Sequence, residues 1–161
     1  MSSMMEQAQV EPSTHTSVTQ FAQAATAKRI KRVGARPLVF EGTELAMAMS
    51  FTPSLPYWYE INLYRTSDHR FVAAVRQFFV SSDEQDTARA WECDTLDAAL
   101  ETLLQYDAAD DVRLSFDHLG SRQSAADMAA QALELRAQAH GYRQHYATLI
   151  GEFLHDLDAV H

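Results

Sequence analysis

Cysteine occurs once in this chain, at position 93, so no internal disulfide framework can hold the fold and a packed core must do so. A lone thiol fits a reducing compartment, and the expected location is the cytoplasm of a bacterium-like cell. Acids on both sides, Glu92 and Asp94, work against thiolate formation, so Cys93 reads as a small strand residue rather than a reactive group. Glycine is scarce, five in 161 residues, which is poor material for a phosphate-cradling loop; neither a P-loop nor a G-x-G-x-x-G run occurs. No apolar run approaches the roughly 18–20 residues that span a bilayer, and no membrane partner is expected. Met1 to Ala27 lacks a basic n-region and a continuous apolar stretch, so it does not read as a signal peptide.

Chemistry-bearing patterns are equally sparse. There is no G-x-S-x-G, no H-E-x-x-H and no paired Cys/His spacing, and Cys93 has no evident base partner. The seven histidines are scattered; His145 can touch Tyr142, three positions away on a helix. Asp107, Asp110 and Asp111 resemble part of a calcium loop but lack its glycine and distal glutamate. No cofactor, no metal and no catalytic role are expected on these grounds.

What the chain has is a core and a segregated charge. Apolar residues make up 47%, enough for one domain with appendages. The formal charge of −9 resides in one segment: Asp83 to Asp117 holds eleven acids and two bases, and the remainder is neutral. Within that remainder, Lys28, Arg29, Lys31, Arg32 and Arg36 crowd together with no acid among them. Such a split bears on partners more than on chemistry.

The patterning predicts an α+β fold: an antiparallel sheet of four or five strands over about 37–93, a helix over 95–105 and a long C-terminal helix over about 124–158. Residues 1–27 read as a mobile, disordered tail, poor in large apolar groups. Residues 28–120 read as the core with a basic entry segment. Residues 121–161 read as a helix that either belongs to that domain or dimerises it. Spacing of Phe21, Ala24, Ala25 and Lys28 suggests a short helix over Thr19 to Arg32, and Glu41-Gly42 reads as a tight turn. Tyr57 to Arg65 is the clearest strand, with Tyr57, Tyr59, Ile61 and Leu63 on one face and Trp58, Glu60, Asn62 and Tyr64 on the other. Phe71 to Phe79 is apolar on both faces, so its second side needs a cover. Glu60 suits a cross-strand ion pair with Arg70 or Arg76. Val112 to Phe116 reads as a short final strand.

Three candidate surfaces emerge. The basic residues Lys28, Arg29, Lys31, Arg32 and Arg36 suit phosphate, an acidic partner, or the chain's own acidic segment. Asp107, Asp110 and Asp111 suit a basic partner, and the acidic segment as a whole suits a mimic of DNA phosphates. Trp58 and Tyr64 form a binding patch if no helix covers them, and are core if one does. A fourth feature is the heptad step of Met128, Ala132, Leu135, Ala139, Tyr142, Tyr146, Leu149 and Phe153, of which Leu135, Tyr142, Tyr146, Leu149 and Phe153 are the candidate oligomer seam. The leading expectation is a non-catalytic protein-interaction or regulatory module, with a protein partner and a homodimer through the C-terminal helix. A DNA-mimic inhibitor and a nucleic-acid binder using 28–36 are the alternatives.

Overall fold

The computed structural model describes residues 25–112 and 124–160. Five strands run as an uninterrupted meander, each antiparallel to the next: β1 (Thr26–Arg32), β2 (Ala35–Met49), β3 (Tyr57–Thr66), β4 (Phe71–Phe79) and β5 (Thr87–Cys93). Helix α1 (Leu96–Gln105), a 3-10 turn (Ala108–Asp111) and helix α2 (Ala125–Val160) follow, completing the expected α+β class.

The sheet curls. The β1–β2 hairpin turns at Gly34, whose φ of 69° suits a residue without Cβ. Just before it, the Val33 N–H donates to the Ala88 carbonyl at 2.9 Å, bringing the first strand round to the last. Period-two alternation therefore delivers side chains to two cores. Outside the curl, Tyr59, Ile61, Leu63, Ala73 and Val75 pack with Leu103 of α1 and with Tyr142, Tyr146, Leu149 and Phe153 of α2. Inside it, Ile30, Leu38, Tyr64, Val72, Ala74 and Ala90 pack on one another. The cover required by the second face of β4 is the sheet's own first hairpin.

Local signals explain the helices. Thr95 accepts the Ala98 N–H at 3.1 Å, capping α1, and Asp97 places negative charge in its first turn. At α2, the Ser124 hydroxyl accepts from the Asp127 N–H at 3.1 Å while the Asp127 carboxylate accepts from the Ser124 N–H at 3.3 Å, a reciprocal capping box. The helix has 36 residues, about 54 Å at the usual rise. Its second half lies on β2 and β3. Its first half is exposed, alanine-rich and helical by propensity.

Several sequence expectations need correction. Thr26 to Arg32 is strand rather than helix: Ile30 alternates inward and is buried, and β2 supplies a hydrogen-bonding partner along its length. Residues 19–24, and the tail expectation for 1–24, lie outside the described residues. The basic segment is hence the outer strand of the sheet, not a free arm. Glu41-Gly42 is not a turn; β2 runs through it, with a bulge between Glu44 and Ala46 instead. Val112 follows the 3-10 turn without pairing, and 113–116 lie outside the described residues.

Asp107 ties the 3-10 turn to α2. Its carboxylate accepts two Arg143 hydrogen bonds, both 2.8 Å, and the Ala109 N–H at 3.0 Å. The Arg143 guanidinium, followed by that N–H, holds the carboxyl at about 2 against an ordinary 3.8. A depressed native value stabilises the fold above the ordinary range and is lost as pH falls toward 2. Asp107→Asn keeps the capping oxygen and removes the charge. It is expected to cost about 0.5 kcal/mol at pH 7, the scale of a partly exposed pair. Urea midpoints of the two proteins should converge between about pH 4 and pH 2; a gap independent of pH would rule the pair out.

Candidate functional site

The concave face of the curl carries polar groups where the sheet opens. At its closed end the Phe40 and Tyr64 rings meet edge-on, centroids 5.3 Å apart. One step toward the opening lies Asn62, only 2% exposed. Its Nδ2 donates to Glu60 Oε1 at 3.0 Å and to Glu44 Oε2 at 3.3 Å. Two carboxylates can only accept, so this pair fixes which end of the amide is nitrogen. Among the described residues the Asn62 side-chain carbonyl oxygen has no partner and is buried. Such a group is uncommon, because burying an unsatisfied acceptor costs about 1–3 kcal/mol.

The surrounding groups are equally specific. Arg76 stands directly opposite Glu60 in the β3–β4 register and is partly buried. Among the described residues Arg76 makes no ion pair; the Glu60 carboxylate hydrogen-bonds Asn62 instead. Burial raises the Tyr64 phenol; Arg76 pulls it back, and Glu44, which accepts its hydrogen bond, and Glu60 push it further up.

Beyond this polar floor the mouth is apolar. Trp58 stacks on Phe78 at 5.4 Å and 21°, with Phe51 edge-on to Trp58 at 5.8 Å. Met47 and Met49 sit opposite Asn62 and Glu60 on β2 and are exposed, as is Phe51 at 61%.

On the helix side the most suggestive pair is Ser50 and His145. His145 Nε2 lies 2.8 Å from Ser50 Oγ and 3.1 Å from the Ser50 carbonyl oxygen. A carbonyl oxygen only accepts, so the second contact fits the tautomer in which Nε2 carries the proton. In that tautomer the pair braces α2 against the β2–β3 corner. Cys93 is buried, its sulfur 3.7 Å from the Thr102 hydroxyl. Gln77, also buried, has neither end of its amide hydrogen-bonded among the described residues. Among the described residues no group of three or more His, Cys, Asp or Glu is placed to hold a metal.

The residues singled out from the sequence are scattered over the molecule. Lys28, Arg29, Lys31 and Arg32 are on β1; Arg29, Lys31 and Arg36 are exposed, and Arg32 Nε donates to the Arg36 carbonyl at 2.7 Å. Tyr64 is buried inside the curl, because its cover is the β1–β2 hairpin rather than a helix, so it offers no surface patch. Trp58 is partly exposed at the mouth. Asp107 is held by Arg143, Asp110 is exposed, and the Asp111 side chain lies outside the described residues. The acidic segment is divided among several elements. Arg70 holds Glu92 at 3.1 Å and Asp94 at 3.0 Å, and Asp86 accepts the Phe79 N–H.

The candidate oligomer seam divides between the core and the projecting half of α2. Tyr142, Tyr146, Leu149 and Phe153 are buried against the chain's own sheet, and only Leu135 lies on the projecting half of α2, partly exposed. Spacing alone singled out neither Glu44 nor Asn62 as a site residue, and gave Arg76 only as an ion-pair partner for Glu60. Their signal was present: three polar residues on strands whose neighbours are aromatic and aliphatic.

Comparison with protein-family models, with curated proteins and with solved structures finds no match for this chain. No helix among the described residues is long and apolar enough to cross a membrane.

Proposed function

We propose that this chain is a non-catalytic protein-interaction module that takes an extended segment of a partner protein at the mouth of its curled sheet. The observation that carries this reading is the ledge of Met47, Met49 and Phe51, exposed side by side next to the stacked Trp58 and Phe78. Methionine and aromatic groups adapt to a partner's side chains, and contiguous exposed apolar surface marks interaction sites. The polar floor beneath the ledge adds selectivity, since a partner that fails to satisfy buried polar groups pays their desolvation.

The test is retention of proteins from the native cell by immobilised wild type and by a variant with Met49→Asp and Phe51→Asp. Both positions are exposed, so the variant should melt within a few degrees of wild type. At least one protein held by the wild type should be lost by the variant and should bind again as a purified component. An identical set of retained proteins on both would reject the mouth as the interaction surface.

A further inference from the structure

Resting on the module reading, we infer that the concave floor is a receptor for a lysine side chain, so that the partner segment is one presenting a lysine beside apolar residues. The first support is the acceptor set. Glu44 and Glu60 meet at a single amide, that of Asn62, and the same amide carries a buried carbonyl oxygen with no partner among the described residues. An ammonium group has three N–H donors and no acceptor, so it can take the free oxygens of both carboxylates at once, and the Asn62 oxygen as a third where the incoming group displaces the side chains that cover it.

The second support is charge. Glu44 and Glu60 carry two negative charges and Arg76, opposite Glu60, one positive charge. One monovalent cation brings the set to neutrality. Lys28 alternates to the same face from β1 but forms no ion pair with either carboxylate among the described residues.

The third support is shape. Each carboxylate already has one oxygen engaged by Asn62, so neither presents both oxygens to a guanidinium fork. Single acceptors below an apolar rim suit a point charge on a flexible methylene stem, which lies along Met47, Met49 and Trp58 while the charge reaches the floor.

A phage-displayed random dodecapeptide library, selected on the full chain, tests this. Enriched peptides should share a lysine flanked by apolar residues. The strongest peptide, resynthesised with a fluorophore and titrated by anisotropy, should lose at least about tenfold in affinity when that lysine is Nε-acetylated, and a similar factor when it becomes arginine. These two readouts leave the protein untouched and do not depend on any variant folding. Glu60→Gln should abolish the discrimination between lysine and acetyl-lysine, while Met49→Asp should abolish binding of every peptide. Peptides enriched without lysine, or acetyl-lysine bound equally well, would overturn the lysine receptor and leave the interaction module standing. No enrichment over an unrelated control protein would overturn both.

Discussion

Leu149→Asp is expected to unfold this protein rather than to dissociate it. Leu149 is 1% exposed, in the core that joins α2 to the sheet and to α1. Truncating a buried leucine to alanine costs about 2–5 kcal/mol. An aspartate adds a carboxylate with no partner among Ile61, Leu63 and Phe153, several further kcal/mol unless it takes up a proton. A domain of this size has a total stability of about 5–15 kcal/mol, so the substitution removes most or all of it. The near-UV circular dichroism of the tyrosine cluster is the sensitive readout. Tyr57 and Tyr142 lie 4.6 Å apart, and Tyr106 and Tyr146 5.1 Å apart, only because α2 is docked. Leu133→Asp is the control. That residue is 64% exposed on the projecting half of the same helix, and the change is expected to stay within about 0.5 kcal/mol. A Leu149→Asp protein with native near-UV signal and a smaller mass in light scattering would restore the helix as a dimer seam.

That contrast identifies what the heptad step could and could not convey. Alternating steps of four and three place one stripe of a helix against something flat and apolar, and a second helix or a sheet satisfies the pattern equally. The alternation of small with large side chains in Ala132, Leu135, Ala139 and Tyr142 suited close approach to either. The partner was decided by β3, whose Tyr57, Tyr59, Ile61 and Leu63 need the same cover at the same time. By the same logic β3, β4 and α1 were legible, because each combines strong periodicity with its own boundary residues. β1 was not. Five of its seven residues are basic or exposed alanine, and its strand character comes from pairing with β2, a non-local contact that local spacing cannot express.

The candidate site was half legible for a related reason. Trp58 and Glu60 stood out as an aromatic and a charge within a strand. Glu44 is sixteen positions from Glu60 in the chain, and only the β2–β3 register, displaced by the bulge before Ala46, brings both carboxylates to Asn62. Arg76 was considered as a counter-charge for Glu60. The register confirms that they face one another, but the Glu60 carboxylate hydrogen-bonds Asn62. Polar groups gathered from three strands are a property of the curl, in which β2 is shared between β1 and β3 at Gly42, a residue that the sequence alone assigned to a turn.

Gly42→Ala is therefore expected to damage both the fold and the concave face. Gly42 pairs with Thr26 on one side and with Thr66 on the other, where β2 is shared between β1 and β3. A Cβ there would stand 2.6 Å from the Arg65 carbonyl oxygen and 3.1 Å from two carbons of the Phe40 ring. The first clash is with backbone and cannot be relieved by a rotamer change, so β2 and β3 must separate; the second presses on the Phe40 ring and its contact with Tyr64. Overpacking of this kind costs about 1–3 kcal/mol, and the upper end applies where backbone must move. Gly34→Ala provides the comparison, since nothing lies within 4 Å of a Cβ there and its positive φ alone is penalised, about 1–2 kcal/mol. Gly34→Ala should lower the urea midpoint and leave the concave face intact. Gly42→Ala should lower it further and speed amide exchange at Ser67, whose N–H donates to the Glu41 carbonyl at 2.8 Å beside the bend. It should also weaken peptide capture at the mouth under conditions where the protein remains folded, because Phe40 and Glu44 shift with β2. Equal destabilisation by the two alanines, with exchange at Ser67 unchanged, would mean that the curl is set elsewhere than at Gly42.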